Sequence, residues 1–181
     1  MYDVAIAMLP ATIWGVMQFG IYSLIVVVAT VLSCVLSEYL FETLMHKPVT
    51  ISDGSALVTG MILGLNMPPA IPLWMPILGG VFAIIVVKQL YGGLGQNWMN
   101  PAARCFMLIS FAQAMTKFTD PVTDAVASAT PLAAIKAGDT YDLAAMFIGK
   151  IPGTIGEVSV IALLIGAAYL LVKKVITIRI P

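Results

Sequence analysis

The stretch Ile21–Leu44, IYSLIVVVATVLSCVLSEYLFETL, decides the class of this protein. It contains no Gly, Pro, Lys or Arg, and its two charged residues, Glu38 and Glu42, lie near its C-terminal end. A helix that crosses a bilayer needs roughly 20 mostly apolar residues, and this stretch is long enough to supply them. We therefore predict that it crosses a membrane as one uninterrupted helix.

The composition of the whole chain indicates the same class. Of its 181 residues, 60% are hydrophobic and 10% are charged, and the mean hydropathy is +1.01. Soluble domains carry about 25% charged residues. Nine Lys and Arg balance nine Asp and Glu, so no excess of basic charge suggests a nucleic-acid partner. We expect an integral protein surrounded by membrane lipid, without a secretory signal peptide, since no basic region precedes a short apolar core.

Glycines, prolines and charged residues divide the chain into six candidate membrane segments. They are, approximately, Val4–Phe19, Ile21–Leu44, Ala56–Leu65, Leu73–Leu90, Pro101–Phe118 and Thr154–Val172. The third is short, so we expect a half-helix or a buried helix whose freed backbone groups are covered by its neighbours. The predicted fold class is an all-α integral membrane protein of about six transmembrane or half-spanning helices, forming one domain over residues 1–181.

Basic residues suggest an orientation, because cytoplasmic loops are enriched in Lys and Arg. The basic sites at one set of segment ends are His46-Lys47, Lys88, Arg104, Lys173, Lys174 and Arg179. If these sites are cytoplasmic, six alternating spans place both termini inside and the loop of residues 119–152 outside. Lys117, at the outer end of the fifth segment, is an exception to this pattern.

The cysteines and the single histidine do not indicate a metal site. Cys34 and Cys105 each lie in an apolar run, and His46 is the one histidine of the chain. Zinc and iron–sulfur sites need several such ligands close together. We interpret both cysteines as small core residues, the alternative being a cluster shared with another subunit.

Charged residues inside the apolar segments are candidates for function. Glu38 and Glu42 are four residues apart and share one face of a helix. Ionisable groups in membrane segments are costly to bury without a partner, which makes them functional candidates. The alternative is that they pair or reach the lipid headgroups, and the same two interpretations apply to Lys88, Arg104 and Glu157.

The stretch Asp124–Leu132, DAVASATPL, lies in the predicted external loop. Its simplest interpretation is a turn around Thr130-Pro131. A threonine hydroxyl is a poor nucleophile without an adjacent base, so we predict no catalytic residue here. An external enzyme could nevertheless esterify the Thr130 hydroxyl.

Several motifs, in order along the chain, resemble one known family. They are Asp53–Gly60 (DGSALVTG), Asn66–Pro69 (NMPP), Lys88–Asn97 (KQLYGGLGQN), Asn100–Ala102 (NPA) and Gly153–Ser159 (GTIGEVS). Together they resemble the D subunit of the Rnf electron-transport complex, which is related to the B subunit of the sodium-translocating NADH:quinone reductase. The resemblance covers essentially the whole chain.

This resemblance implies a covalently bound cofactor. Family members carry FMN joined through its phosphate to a threonine, attached by a flavin transferase, within the pattern Asp-x-x-Ser-Gly-Ala-Thr. Asp124, Ala129 and Thr130 match this pattern, and Thr130 would carry the flavin; Ala127 and Ser128 depart from it. The resemblance implies Asp124, Ser128, Ala129 and Thr130 as the cofactor-binding residues, and a second, noncovalent flavin is left open.

The resemblance also implies a function. The complex would oxidise ferredoxin, reduce NAD and move Na⁺ or H⁺ across the plasma membrane of a bacterium or archaeon, with other Rnf subunits as partners. The fold would resemble one repeat of a two-repeat urea-transporter-like protein. Independently of the resemblance, the ionisable residues Glu38, Glu42 and Glu157 of the apolar segments are the places to look for ion coupling. The alternatives are a quinone-reductase subunit, a small-solute channel or transporter without flavin, and an assembly subunit.

Overall fold

The computed structural model describes residues 1–90, 117–118, 126–127, 147–149 and 153–176. Its helices are α1 (Tyr2–Phe19), α2 (Ile21–Leu44), a 3₁₀ turn (Ile51–Asp53), α3 (Ser55–Leu65), α4 (Trp74–Phe82), a π-helix (Ala83–Gln89) and α5 (Val160–Val172). Two strands of two residues each, β1 (Lys117–Phe118) and β2 (Val126–Ala127), pair antiparallel with Lys117 opposite Ala127. The regular secondary structure of the described residues is therefore helical apart from this short strand pair.

The first two helices form an antiparallel hairpin. They are separated by Gly20, whose φ of 83° and ψ of −177° favour glycine. The Tyr2 hydroxyl, at the start of α1, donates a hydrogen bond of 3.0 Å to the carbonyl of Ser52, beyond the end of α2. Helix α2 has the predicted bounds, and among the described helices it is the one long and apolar enough to cross a membrane.

Helix α3 is the half-length helix that the sequence predicts. It has 11 residues, most of them buried, and it packs along α2. A Cβ added at Gly60 would lie 2.7 Å from Val31 Cα, and one added at Gly64 would lie 3.1 Å from Val27 Cα. Small residues at such contacts let membrane helices approach closely. The buried cluster around Leu63 therefore depends on two glycines of α3.

Helix α4 and the π-helix run parallel to α2. The Ser33 hydroxyl of α2 donates to the carbonyl of Ile77 over 2.7 Å, and further along both elements Lys88 contacts Glu38. The fourth predicted segment, Leu73–Leu90, is thus helical over nearly its full length, but its second half has π geometry.

The sixth predicted segment was wrong at its start. Helix α5 begins at Val160, where the Ser159 hydroxyl accepts a hydrogen bond from the Ala162 amide and caps the helix. The preceding residues are not helical, because the Ile155 amide donates to Met67 O over 3.1 Å and the Gly156 amide to Leu65 O over 2.8 Å.

Helix α5 lies antiparallel to α1. A Cβ added at Gly166 would lie 2.3 Å from the carbonyl oxygen of Ala7, and the Tyr169 hydroxyl donates to Asp3 over 3.2 Å. Helices α3 and α5 therefore both pack beside α1, and the segment that leads into α5 contacts α3 at Leu65.

The fifth predicted segment, Pro101–Phe118, falls mostly outside the described residues. Its last two residues, Lys117 and Phe118, form β1, so the prediction that they end a helix was wrong. Their backbone pairs with β2 instead.

Candidate functional site

Five buried polar side chains meet between α2, α3 and the π-helix. They are Glu38, Glu42, Ser55, Lys88 and Gln89, and we call them the carboxylate cluster. Each is at most 5% exposed. Charged groups at such depth are stable only when they are paired and hydrogen-bonded, so their contacts define what the cluster can do.

Lys88 forms the ion pair at the centre of the cluster. Its ammonium Nζ lies 2.5 Å from Glu38 Oε1 and donates to Ser55 Oγ, also over 2.5 Å. Hydrogen bonds between ionised groups are shorter and stronger than neutral ones. Lys88 therefore links α2 to the start of α3.

Gln89 joins the two carboxylates. Its amide Nε2 donates to Glu38 Oε1 over 3.1 Å and to Glu42 Oε1 over 3.3 Å. One amide nitrogen thus lies within hydrogen-bond reach of both acidic groups. The two carboxylates are held as neighbours on one face of α2, in agreement with their four-residue spacing.

Glu42 is further held by Thr50. The Thr50 amide donates to Glu42 Oε2 over 2.9 Å, and the Thr50 hydroxyl donates to Oε1 over 2.5 Å. Thr50 immediately precedes the 3₁₀ turn, so this turn closes one side of the cluster.

Local structure explains how these side chains converge. Ser55 is the first residue of α3, and its amide is capped by Asp53 Oδ1 over 2.7 Å. Lys88 and Gln89 are the last two residues of the π-helix, where the Leu90 amide bonds to Ile85 O, five residues earlier. π-Helices are rare and occur frequently at functional sites.

The charges of the cluster do not balance. One ammonium, from Lys88, faces two carboxylates, from Glu38 and Glu42. Glu38 Oε2 is buried and has no hydrogen-bond partner among the described residues. A buried, unsatisfied carboxylate oxygen is costly, and it can accept a proton or act as a ligand for a small cation.

These contacts confirm one part of the alternative interpretation, that the charged residues find partners inside the protein. Lys88 forms an ion pair with Glu38, Glu42 is bonded by Gln89 and Thr50, and all three charged side chains are buried. Glu157 lies elsewhere, exposed on the segment that crosses the end of α3. Arg104 lies outside the described residues.

The cofactor-binding residues expected from the resemblance are outside the described part of the chain. These residues are Asp124, Ser128, Ala129 and Thr130. The described neighbour is β2, which ends at Ala127, three positions before Thr130. β2 pairs antiparallel with β1.

Sequence reasoning did not find Ser55, Thr50 and Gln89. Small polar residues at helix starts are common, and nothing in their type indicates a charged partner. A usable signal was Lys88, because an ammonium within an apolar segment requires a carboxylate from another segment. That requirement points to Glu38 and Glu42 without choosing between them.

Cys34 and Lys47, which the sequence analysis also singled out, make ordinary packing contacts. Cys34 is buried beside Ala56 and Ile84, as predicted for a small core residue. Lys47 lies over the ring of Phe41, with Nζ 5.2 Å from the ring centroid. Among the residues that the structure describes, no group of three or more His, Cys, Asp or Glu could hold a metal ion.

A largely apolar cavity of about 360 Å³ lies between α1, α3 and α5. Small and aliphatic residues such as Ala7, Ile62 and Gly166 line it, and its polar lining comes from Asn66 and Glu157. The cavity is separate from the carboxylate cluster in its lining residues.

The chain is similar to known membrane proteins over its full length. The model of the NQR2, RnfD, RnfE family matches residues 1–181. The chain is 46% identical over 189 residues to the D subunit of the Na(+)-translocating ferredoxin:NAD(+) oxidoreductase complex of Acetobacterium woodii, covering 100% of the chain and 59% of the relative.

Two further relatives agree. Identity is 40% over 197 residues to the D subunit of the proton-translocating ferredoxin:NAD(+) oxidoreductase complex of Clostridium ljungdahlii, covering 100% of the chain and 60% of the relative. It is 33% over 218 residues to the D subunit of the ion-translocating oxidoreductase complex of Rhodobacter capsulatus, covering 100% and 61%. The chain thus spans about three fifths of the length of these curated relatives.

Proposed function

The chain belongs to the NQR2, RnfD, RnfE family, and from this we propose that it is part of the D subunit of an ion-translocating ferredoxin:NAD⁺ oxidoreductase complex. Relatives with this name match the chain from end to end. The other subunits of the complex are its proposed partners, and the protein is not proposed to be catalytic alone.

The carboxylate cluster is the observation that supports a role in ion translocation. Its unequal charges and the buried Glu38 Oε2 offer a place for one cation in an otherwise apolar part of the protein. Ionisable groups inside membrane segments commonly mark ion paths and proton relays. We propose that Glu38 and Glu42 accept the coupling cation.

The cation is proposed as Na⁺ or H⁺. One relative is named for Na⁺ and another for protons. A carboxylate oxygen can accept either ion, so the cluster suits both. The half-length helix α3, which supplies Ser55 to the cluster, supports this proposal, because transporters place broken helices at their ion sites.

The redox part of the proposal rests on the sequence around Thr130. Asp124, Ala129 and Thr130 match the family pattern for a threonine that carries FMN. When bound, FMN would supply electron transfer in one-electron steps, and the protein would supply the tether and the local electrostatics. A flavin transferase would form the phosphoester at the Thr130 hydroxyl, in a loop proposed to face outward, with both termini cytoplasmic.

The exposed faces of the helices support placement in a membrane. Leu32, Leu36 and Leu40 recur every four residues on α2 and are all exposed. This spacing gives one apolar stripe along the helix. The stripe is suited to contact lipid or an apolar neighbouring subunit.

The ion proposal is tested with the complete complex in proteoliposomes. Glu38→Gln and Glu42→Gln should each lower cation transport at least about tenfold, because a hydrogen bond to a charged group contributes about 1.5–3 kcal/mol. Asp3→Asn removes an acidic charge outside the cluster and is the control. Transport that persists in both cluster variants contradicts the proposal.

The flavin proposal is tested by fluorescence of the denatured protein in a gel, after production in its own host. A fluorescent band should be present in the wild type and in Thr123→Val, and absent in Thr130→Val. A dark wild-type band, with the transferase present, contradicts the proposal and favours a flavin-free channel or an assembly role. Reduction of quinone in place of NAD⁺ by the intact complex would favour the quinone-reductase alternative.

A further inference from the structure

Lys88 supplies the positive charge of the carboxylate cluster. Its ammonium is fixed by Glu38 Oε1 and Ser55 Oγ, each at 2.5 Å, and the side chain is buried. The other charged members are the carboxylates of Glu38 and Glu42. Asp53 is nearby but exposed, so solvent screens its charge. With both carboxylates ionised, the buried groups carry a formal net charge of one negative unit.

Without the ammonium, the same groups would resemble a site for a divalent cation. Two carboxylates would lie on either side of the Gln89 amide nitrogen, which is within hydrogen-bond distance of both. Ser55 and Thr50 add hydroxyl oxygens, and Glu38 Oε2 has no partner among the described residues. Several oxygen ligands with two negative charges are what Ca²⁺, Mg²⁺ and Mn²⁺ prefer.

We propose that Lys88 is a charge-selectivity residue, which limits the cluster to one monovalent cation or proton and excludes divalent cations. This inference rests on the proposed function, in which the cluster accepts the coupling cation. One monovalent cation would bring the buried net charge to zero. A divalent cation would leave a net positive charge beside the fixed ammonium, and like charges repel strongly where water is excluded.

The fixed position of Lys88 is part of this selectivity. If the Lys88 side chain moved out of the cluster, a divalent cation could enter. Its ammonium is, however, bonded to two elements, to α2 through Glu38 and to α3 through Ser55. Its backbone belongs to the π-helix, which also directs Gln89 into the cluster. The ammonium therefore occupies a fixed position in the site.

The first test measures Mn²⁺ binding to the purified complex by the loss of the free-ion signal in electron paramagnetic resonance. Lys88→Met should bind one Mn²⁺ per copy of this chain beyond what the wild type binds. This binding should occur at Mn²⁺ concentrations at least about tenfold below any at which the wild type takes up an equivalent ion, a factor that corresponds to about 1.4 kcal/mol. Lys88→Arg keeps the charge and should behave as the wild type. Lys47→Met removes a lysine outside the cluster and should also leave Mn²⁺ binding unchanged.

A second variant reaches the same net charge without changing Lys88. Gln89→Glu adds a third carboxylate at nearly the same volume, so it should also bind Mn²⁺. Gln18→Glu adds a carboxylate on α1, away from the cluster, and should not. If Lys88→Met fails to assemble, Gln89→Glu decides the outcome.

The double variant Lys88→Met with Glu38→Gln restores one net negative charge. We expect it to lose the Mn²⁺ binding gained by Lys88→Met. The proposal is overturned if assembled Lys88→Met and Gln89→Glu bind no more Mn²⁺ than the wild type. Failure of the proposed function appears separately, as cation transport that survives in Glu38→Gln and Glu42→Gln.

Discussion

The amide of Gly156 donates a hydrogen bond of 2.8 Å to the carbonyl of Leu65, the last residue of α3. This bond joins the end of one half-length helix to the segment that leads into another, α5. A Cβ added at Gly156 would lie 2.7 Å from Leu65 Cβ, so the two segments are in close contact. In a membrane, non-helical backbone is tolerated where it is buried in protein or lines a cavity. The crossing of these two segments meets that condition.

The packing of α5 on α1 should depend on Gly166. In Gly166→Ala the new Cβ would lie 2.3 Å from the Ala7 carbonyl oxygen, and overpacking of this kind costs about 1–3 kcal/mol. We expect a lower Tm in detergent. Gly153→Ala is the matched control, since its Cβ would meet nothing within 4 Å. An unchanged or higher Tm for Gly166→Ala would contradict the close contact, because alanine is the better helix former.

The Lys88–Glu38 ion pair should show strong coupling in stability. Removing one partner of a buried ion pair costs about 3–5 kcal/mol, because the other charge is left uncompensated. Lys88→Met alone should therefore lower the Tm more than Lys88→Met combined with Glu38→Gln. The measurement is a double-mutant cycle on the purified complex. Additive effects of the two substitutions would show that the residues do not interact.

Thr50 should hold Glu42 through its hydroxyl. Thr50→Val keeps the shape and the amide bond to Oε2 but removes the hydrogen bond to Oε1. The loss should be about 1.5–3 kcal/mol, typical of hydrogen bonds to charged groups. Thr50→Ser retains the hydroxyl and should keep most of the stability in thermal unfolding. A loss in Thr50→Ser with none in Thr50→Val would assign the effect to the methyl group instead.

Tyr22 should stabilise the non-helical backbone after α3. Its hydroxyl donates to the carbonyl of Ile71 over 2.8 Å. Tyr22→Phe should leave that carbonyl without this donor and cost about 1 kcal/mol. Proteolysis or hydrogen exchange around Ile71 should increase. Tyr39→Phe changes an exposed tyrosine of the same helix and serves as the control; an equal effect there would exclude a specific role of the Ile71 bond.

Several elements of the fold could be predicted from local sequence. The stretch Ile21–Leu44 lacks helix breakers, and the helix has these bounds because nothing in it interrupts the backbone hydrogen bonds. The short α3 was also predicted, since Asp53-Gly54 caps its start and Asn66 to Pro69 prevent its continuation. For these two helices, the residues at and next to each end were enough to predict where the helix begins and stops.

The start of α5 could not be predicted in the same way. The residues from Thr154 to Val158 lead directly into the apolar run of α5, so the apolar pattern extends the helix over them. The amides of Ile155 and Gly156 bond instead to carbonyls at the end of α3, about ninety residues earlier in the chain. A distant hydrogen-bond acceptor decided between two locally similar conformations.

The sequence by itself determined that this is a membrane protein of the NQR2, RnfD, RnfE family, because composition, helix length and motifs are properties of short stretches. It also determined that Glu38 and Glu42 share one helix face. The tertiary structure alone decided that Lys88 pairs with Glu38 and that Gln89 bridges the two carboxylates. Charge pairing depends on distance in space, and these residues are brought together by the packing of α2, α3 and the π-helix.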